Sequence, residues 1–401
     1  MKIDLAITNA RLPGDVEEKL RCITISDGIV RSLATEPEQA AGAQLTIDAE
    51  GSLVTEAFVN GHLHLDKVYT LSMVGDQAPA NYHGAGMGGA MTAIELAAAV
   101  KKRYDRSWII DNVRRACDLA VHFGTATIRA FADVDTTGTL EGVAALLQAR
   151  EEYAGKLELE VVAFPQDGVL RDPGAEELVE EALEMGADCV GGIPWIEYTD
   201  EEAREHVDRM LALATRYDRR VSMLVDDAGD PNLRTLEYLA TATVREGLQG
   251  RVTAQHARAM ALYPEPTFRR LLHQLRRAGI GVVSDPHTGP LHARVEELLA
   301  AGIPVALGQD DISDAFYPLG RNNMLEVGFL AVHMLWMTQG AQMQQIYDMI
   351  TWQAAKVLGH HDRRLQVGSV ANLVVLDAPD IVEALRSHAA PRWVIHRGRV
   401  V

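Results

Sequence analysis

The sequence of 401 residues is poor in cysteine and in positive charge. Its three cysteines, Cys22, Cys117 and Cys189, are widely spaced and form no Cys-x-x-Cys pair, which indicates neither a disulfide framework nor a thiolate zinc site. Acidic residues outnumber basic residues by 56 to 38, so the formal net charge is −18. Because nucleic-acid binding depends on clustered Lys and Arg, this balance argues against a phosphate backbone as partner.

The sequence also lacks a long hydrophobic run. No uninterrupted apolar stretch approaches the roughly 18 residues that a membrane helix needs, and the first residues, Met-Lys-Ile-Asp-Leu-Ala-Ile, contain no apolar signal core. We therefore expect a soluble, uncleaved, cytoplasmic protein without a membrane partner. The hydrophobic content of 47% is enough for one large core and a small additional domain.

Both ends of the chain are patterned as short strands. Alternating apolar residues separated by turns predict strands near the N-terminus at 2–9, 22–26, 29–34 and 45–48. Strand-like segments without helical neighbours follow near the C-terminus at 371–376 and 392–400. We expect residues 1–54 and 365–401 to form one small β-sandwich domain, which leaves residues 55–364 as a second domain.

The middle of the chain alternates strands with amphipathic helices. This alternation is typical of a parallel sheet with crossover helices. Strands are predicted at 58–64, 125–132, 157–164, 189–193, 220–225, 252–255, 280–284 and 304–308, and helices at 108–123, 140–153, 175–184, 203–217, 233–247, 267–278 and 294–301. Eight such units predict an α/β fold of the (β/α)8 TIM-barrel type, with its site at the C-terminal ends of the strands.

Two histidines end the first predicted barrel strand. His62 and His64 lie two residues apart, so on an extended strand both imidazoles point to the same face and can bind one metal ion. Gly61 lets the backbone pass close to that ion. A His-x-His pair alone also arises by chance, and its context therefore decides its meaning.

The segment Asn60 to Lys67, Asn-Gly-His-Leu-His-Leu-Asp-Lys, resembles the first metal motif of the amidohydrolase superfamily. Within that superfamily it is most similar to the cytosine deaminase and N-alkylammelide hydrolase group. Further segments resemble this group in the same order, at 161–170, 185–194, 251–260 and 307–319. The resemblance covers nearly the whole chain and implies a barrel with a small sandwich, one divalent metal ion (zinc, iron or manganese), a small-molecule substrate and a homo-oligomer.

The resemblance also implies roles for residues at the strand ends. Asp310, in Gln-Asp-Asp where the family usually has His-Asp-Asp, would bind the metal and take a proton from the attacking water. His256 would lie beside that water, and Gln166 would contact a carbonyl or ring nitrogen of the substrate. The other candidate substrate contacts are Asp311, Lys67 and His287, of which His287 has no family counterpart and is either a substrate contact or a solvated loop residue.

The chain departs from the family at the fifth strand. Where the family has His-Cys-Asp-Glu, this sequence has Leu224-Val225-Asp226-Asp227. Leucine has no lone pair for a metal, so the histidine ligand of the family is missing. A second barrel histidine of the family is replaced by Phe131.

Three arrangements can compensate for Leu224. His62, His64 and Asp310 can hold the ion with water completing the site, since three protein ligands suffice for a catalytic centre. His256 can serve as a fourth ligand. Asp226, two residues after Leu224 and therefore expected on the same face of the strand, can reach back toward the ion, although the strand repeat of about 6.6 Å disfavours this.

The leading interpretation is a metal-dependent hydrolase that cleaves a C–N bond of a small cyclic amidine or amide with metal-activated water. Asp310 would accept the proton of the water, and Asp227 or His256 would deliver one to the leaving nitrogen. Asp227 takes the place of the family's glutamate with one methylene fewer. Because the changed fifth strand thus alters both the ligand set and the acid, unsubstituted cytosine is not the favoured substrate. The alternatives are hydrolysis of another leaving group on a small heterocycle or linear amide, and a metal-free barrel that binds a small molecule without turnover.

A glycine-rich stretch, 75–89, follows the first ligand strand. Its composition predicts a loop, which is either a surface connection or a lid over the substrate. It does not form a phosphate-binding loop, because no Gly-Lys-Ser/Thr follows.

Overall fold

The fold consists of a parallel barrel and two smaller sheets. The computed structural model describes residues 3–14, 19–74 and 98–401, so the loop predicted at 75–89 lies outside the described residues. In chain order the strands are β1 (Leu5–Ala10), β2 (Arg21–Ser26), β3 (Ile29–Ala34), β4 (Leu45–Asp48), β5 (Val54–Glu56), β6 (Phe58–His64), β7 (Thr125–Asp133), β8 (Glu158–Phe164), β9 (Cys189–Val190), β10 (Arg220–Val225), β11 (Val252–His256), β12 (Gly281–Ser284), β13 (Val305–Leu307), β14 (Leu373–Val375), β15 (Trp393–His396) and β16 (Arg399–Val400).

Strands β6 to β13 pair in sequence order as one parallel sheet. The two outermost strands meet and complete the ring. The backbone N–H of His64 donates to the carbonyl oxygen of Asp310 at 2.8 Å, and the N–H of Asp310 donates to the carbonyl oxygen of His62 at 2.9 Å. The predicted (β/α)8 barrel is therefore confirmed, and its closure joins the two segments that carry the candidate metal ligands.

Helices surround the barrel strands. In chain order they are α1 (Leu71–Val74), α2 (Arg106–His122), α3 (Glu141–Glu152), α4 (Ala175–Met185), α5 (Asp200–Arg216), α6 (Thr235–Arg245), α7 (Glu265–Ala278), α8 (Val295–Ala300), α9 (Met324–Met334), α10 (Gly340–Asp348), α11 (Trp352–Leu358) and α12 (Ile381–Ser387). Helix α7 buries Phe268, Leu271 and Leu275 and directs its charged residues outward. None of the helices in the described ranges has the length and apolar content to cross a bilayer.

Both chain ends build the smaller sheets. One sheet has the order β3-β2-β1-β4, and the other has the order β16-β15-β14-β5. Side chains from both sheets, among them Ile7, Ile23, Val54 and Leu373, share one buried cluster, so the sheets pack against each other as a sandwich. Asp27 forms part of the turn between β2 and β3, with φ of +54°.

The C-terminal segment is not purely β-structured. Helix α12 lies between β14 and β15, although no helix was predicted there. Asp380 caps it by accepting a hydrogen bond from the N–H of Glu383, and the helix buries Ile381, Ala384 and Leu385. Helices α9 to α11 were not predicted either.

Strand β9 is shorter than the predicted segment 189–193. A Cβ atom on Gly191 would lie 2.6 Å from the carbonyl oxygen of Ala163, so glycine permits the close approach of these two backbone segments. The backbone then leaves the sheet and forms a 3-10 turn at Pro194–Ile196. This turn carries Trp195 to the mouth of the barrel.

Candidate active site

A cavity opens at the C-terminal end of the barrel strands. Its lining combines metal-binding groups, charged groups and an apolar wall, formed by His64, Gln166, Ile193, Trp195, Leu224, Asp227, His256, Arg258, Asp310, Asp311 and Phe316. Most of the residues that sequence reasoning selected therefore come together, although they are spread over the barrel strands.

Three imidazoles converge on one carboxylate oxygen. The Oδ1 atom of Asp310 lies 3.3 Å from Nε2 of His62, 4.0 Å from Nε2 of His64 and 3.6 Å from Nε2 of His256. All four residues are buried. His62, His256 and Asp310 offer ligand atoms within 4.8 Å of one another, and His64, Asp310 and Asp311 form a second such group.

These residues fit a divalent ion. The Nδ1 atoms of His62 and His64 have no hydrogen-bond partner within residues 3–14, 19–74 and 98–401. Buried polar atoms are normally hydrogen-bonded, and unprotonated imidazole and carboxylate are ligands for zinc, iron or manganese. Burial, with Lys67 and His62 nearby, holds the pKa of His64 well below its ordinary value, so this ring is neutral and able to bind a metal.

Neighbouring charges also shift the pKa values of His256 and Asp310. Burial opposes the charged form of His256, but Asp227 and Asp310 outweigh it and raise the pKa of His256 to about 9. Burial likewise opposes ionisation of Asp310, but His256, His62 and Arg258 hold the pKa of that carboxyl well below its ordinary value. Asp310 is therefore an anionic centre among imidazoles.

Left-handed backbone orients two of the candidate ligand residues. His256 has φ of +60° and Asp310 has φ of +66°, conformations that L-residues adopt rarely and that concentrate at functional sites. His256 is the last residue of β11, and Asp310 lies three residues after the end of β13, so at both positions the turn of the backbone redirects the side chain into the cluster. Strand alternation alone does not predict these orientations.

Two contacts on the side away from the cluster orient the side chains of His256 and Asp310. Asp285 places Oδ2 at 3.1 Å from Nδ1 of His256. Thr288 donates from Oγ1 to Oδ2 of Asp310 at 2.7 Å. Oδ1 of Asp310 thus faces the imidazoles, and Oδ2 is held by Thr288. Neither Asp285 nor Thr288 was predicted as a site residue, although both lie within two residues of His287 in the sequence.

Arg258 is a buried cation inside the site. Its Nη2 lies 3.2 Å from Oδ2 of Asp310 and 2.6 Å from Oγ1 of Thr288, and its Nε lies 3.1 Å from Oδ1 of Asp227. The guanidinium therefore bridges the carboxylate of the imidazole cluster and the candidate proton shuttle. The only signal for Arg258 in the sequence was its position two residues after His256.

The fifth strand contributes an apolar wall and one acid. Leu224 lines the cavity and packs in a cluster with Phe131, Phe164 and Ile193. Asp227 lines the cavity beside Arg258. Leu224 and Phe131, which stand where the family that the sequence resembles has histidines, thus belong to one hydrophobic surface.

Asp226 points away from the cluster. Its carboxylate accepts hydrogen bonds from the N–H of Thr235 at 2.8 Å, from Oγ1 of Thr235 at 2.6 Å and from the hydroxyl of Tyr263 at 2.6 Å. Asp226 has φ of +50°, which breaks the strand alternation that had suggested a common face with Leu224. The carboxylate satisfies the N-terminus of α6, so it is not available as the replacement ligand.

Gln166 faces the cavity, and Lys67 lies behind it. The ammonium of Lys67 donates to both carboxylate oxygens of Asp133, at 2.8 and 2.9 Å, and also to Oε1 of Gln166. Lys67 is 5% exposed and is not part of the cavity wall. The substrate contact expected for Lys67 from the sequence therefore stays a prediction.

The two remaining candidates lie on the eighth and seventh strand ends. Asp311 lines the cavity, and burial together with Asp310 and Asp314 raises its pKa well above the ordinary value. His287 lies outside the cavity lining, with Nε2 at 3.2 Å from the carbonyl oxygen of Gln309. His287 therefore braces the backbone next to Asp310.

Comparison with known proteins links this geometry to a family. The family description "Amidohydrolase family" matches residues 45–401. The chain is 30% identical to N-isopropylammelide isopropyl amidohydrolase of Pseudomonas sp. (strain ADP), with 99% of this chain and 97% of that protein aligned. It is 27% identical to pterin deaminase of Rhizobium rhizogenes, with 94% of this chain and 87% of that protein aligned. The crystal structure of 5-methylcytosine deaminase from Klebsiella pneumoniae with 5-fluorocytosine superposes with a TM-score of 0.89 at 32% identity, covering 99% of this chain and 97% of that one.

Proposed function

The chain belongs to the amidohydrolase family, and from this premise we propose that it is a metal-dependent hydrolase that cleaves a non-peptide C–N bond of a small nitrogen heterocycle. The products would be the corresponding oxo ring and ammonia or an amine. The observation that carries the proposal is the convergence of His62, His64 and His256 on Oδ1 of Asp310. Imidazole nitrogens and a carboxylate oxygen this close together are the donor set of a divalent-metal site.

One divalent ion, zinc, iron or manganese, would be held by His62, His64 and Asp310, with His256 as a further ligand or neighbour. Bound there, such an ion supplies Lewis acidity and lowers the pKa of water. Asp226 is excluded as a ligand because the N-terminus of α6 engages its carboxylate.

The proton transfers are assigned to residues of the cavity. Asp310 would accept a proton from the attacking water, since its Oδ1 faces the imidazole cluster. Asp227 or His256 would deliver a proton to the leaving nitrogen. Arg258 contacts both Asp227 and Asp310, so it would keep the two carboxylates in a defined relative position.

The cavity walls favour a flat, largely apolar ring. Trp195, Phe316 and Leu224 line the cavity and would exclude bulk water from the reacting carbon. Gln166 and Asp311 supply polar contacts at the ring edge. The relatives named for ammelide, pterin and 5-methylcytosine chemistry support this substrate class.

The test combines metal analysis with a substrate screen. Protein purified without chelator and supplied with zinc, iron or manganese is analysed for bound metal. It is then incubated with pyrimidines, triazines, pterins and creatinine-like rings while release of ammonia or amine is measured. We expect close to one equivalent of metal and turnover of at least one ring.

A matched pair of histidine variants makes the test specific. His62→Ala is expected to lose stoichiometric metal and turnover while the protein stays folded. His273→Ala, on the exposed surface of α7, is expected to retain both. Wild-type protein with only a small fraction of an equivalent of metal and no turnover would favour the non-catalytic binding barrel instead.

A further inference from the structure

A buried histidine–glutamate pair lies behind the apolar wall of the cavity. Nδ1 of His206, on α5, is 2.7 Å from Oε1 of Glu197, in the segment that follows β9, and both side chains are fully buried. The backbone N–H of Ile193 donates to Nε2 of His206 at 3.1 Å. Burial holds the pKa of His206 below its ordinary value, so the ring is neutral and carries one N–H. Because Nε2 accepts a hydrogen bond, this N–H is on Nδ1 and donates to Glu197.

The Glu197 carboxylate joins two segments that follow neighbouring strands. Oε1 accepts from the backbone N–H groups of Val169 and Leu170, at 2.7 and 3.2 Å, and Oε2 accepts from the N–H of Arg171 at 2.9 Å. Burial opposes ionisation of Glu197, but the hydrogen bonds from His206 and from the backbone outweigh it and hold the pKa of Glu197 below its ordinary value. A glutamine would not replace this residue, because its NH2 group would face a donor.

The pair fixes the wall of the cavity. Ile193 and Trp195 line the cavity, and they lie on the short segment between the two anchor points, the N–H of Ile193 and the carboxylate of Glu197. A Cβ atom on Gly192 would lie 3.0 Å from Nε2 of His206, so the backbone passes directly against the imidazole. A buried donor or charge that loses its partner is costly. Trp195 is therefore held in place by the fold and not by the substrate.

The space inside this wall is small. The volume open to the centres of water molecules in the cavity is about 40 Å³. One water needs roughly 10–15 Å³ of such space, so the cavity has room for about three or four waters. That is the bulk of one six-membered ring and not of two fused rings.

We propose that Glu197 and His206 are positioning residues that hold Trp195 against the cavity, so that the site takes a single six-membered ring and excludes a fused bicyclic ring. The indole would occupy the space that a second fused ring needs. This inference rests on the proposed function, because it specifies the substrate class of the same site.

The test compares rings that differ only in a second fused ring. Suitable pairs are isocytosine with pterin, and 2,4-diaminopyrimidine with 2,4-diaminopteridine. Binding to the metal-supplemented protein is measured by titration calorimetry or competition. Overfilling a packed site weakens binding by about tenfold or more, so wild-type protein should bind the single ring of each pair more tightly by that factor.

Two variants should relax this preference. Trp195→Ala removes the wall, and His206→Leu removes the hydrogen bonds to Glu197 and Ile193, so in both the preference for the single ring should fall to about threefold or less. On any single ring that is turned over, KM of His206→Leu should rise more than kcat falls. His206→Gln, whose amide oxygen can take the place of Nε2, should retain part of the preference.

Glu160→Gln is the matched control. Glu160 is also largely buried and lies 2.7 Å from an imidazole nitrogen of His360, but it does not line the cavity. This variant should lose stability and keep the wild-type preference, which separates positioning of the wall from a general loss of stability. Should His206→Leu fail to fold, His206→Asn, which can keep the bond to Glu197 but not the bond to Ile193, gives the same readout.

Three outcomes would overturn the inference. They are equal or tighter binding of the bicyclic ring by wild-type protein, a wild-type preference in folded Trp195→Ala or in the folded leucine or asparagine variant of His206, and no measurable binding of either ring type. Failure of the proposed function is a separate result, since it appears as absent turnover and absent metal, whereas the preference is measured by binding.

Discussion

The Oδ2 atom of Asp285 lies 3.1 Å from Nδ1 of His256, on the side of the ring opposite the Asp310 contact through Nε2. A carboxylate on one imidazole nitrogen fixes the ring orientation and leaves the other nitrogen directed at the reacting centre. The backbone makes room for this contact at Gly308, where a Cβ atom would lie 2.3 Å from Oδ1 of Asp285. The pair thus depends on an aspartate, a histidine and a glycine from three different strand ends.

We predict that Asp285→Asn lowers kcat/KM by about 10- to 100-fold, because partners of this kind contribute that much to activity or metal affinity. Steady-state kinetics and metal titration measure the effect. Asp285→Asn retains the shape of the side chain, so thermal unfolding should shift by only a few degrees. An unchanged kcat/KM would show that His256 needs no support from Asp285.

We predict that Arg258→Lys impairs catalysis despite keeping the positive charge. A lysine ammonium is a single point and cannot contact Asp227 and Asp310 in the way that the planar guanidinium does. Turnover of Arg258→Lys should fall by at least about tenfold. Arg258→Met removes one partner of a buried charge pair, so its free energy of unfolding should fall by about 3–5 kcal/mol. Chemical denaturation and kinetics on both variants measure this. Wild-type kinetics for Arg258→Lys would contradict a bridging role.

We predict that Leu224→His raises metal affinity. Leu224 lines the cavity with His64, His256 and Asp310, so an imidazole there would bring a further nitrogen ligand to the site. Competition with a chelator measures the affinity, and Leu224→Met serves as the size-matched control without a nitrogen. Leu224→His need not restore cytosine deamination, because Asp227 remains one methylene shorter than glutamate; the double variant with Asp227→Glu tests this separately. Unchanged affinity would mean that residue 224 does not reach the ion.

We predict an acid-sensitive contribution from Glu160, far from the cavity. Glu160 accepts from Arg129 at 2.6 Å and contacts His360 at 2.7 Å. Burial opposes its ionisation, but Arg129 and His360 outweigh burial and lower the pKa of Glu160 to about 2. Because the pKa is lower in the folded state, the ionised pair stabilises the fold above the ordinary glutamate pKa, and this stability is lost as the pH falls toward about 2.

Glu160→Gln should therefore reduce the free energy of unfolding by about 2–3 kcal/mol at pH 7. The difference from wild type should shrink as the pH falls below about 4.5. Urea denaturation between pH 7 and pH 3 measures the trend, with the exposed Glu177→Gln as control. A difference that is constant over this range would contradict a stabilising ionised pair.

Periodic patterns in the sequence determined the architecture. Strands β6 and β10 begin and end at the predicted residues, Phe58–His64 and Arg220–Val225. Their boundaries are set by runs of apolar residues between turn residues, and both of these features belong to the local sequence. The alternation of side chains along a strand also predicted that His62 and His64 would share a face. The β-structured chain ends predicted a small sheet domain for the same reason. Helix α12 was missed because its seven residues are too few for a clear helical period.

Only the tertiary structure decided how the strand ends are oriented. The alternation of side chains along a strand suggested that Asp226 shares the face of Leu224, but φ of +50° at Asp226 turns its carboxylate toward α6. The same left-handed backbone directs His256 and Asp310 into the cluster. Sequence alternation assumes an extended chain, and it fails at the positions where strands end and the site begins.

The partners of the site residues were also decided by closure of the barrel. Asp285, Arg258 and Thr288 have ordinary surroundings in the sequence, and their importance follows from contacts with His256 and Asp310 across different strands. The sequence determined by itself that two histidines and an aspartate stand at strand ends, because residue type and period are local properties. Which groups neutralise, orient and surround them depends on distances between remote segments, and only the folded chain determines those distances.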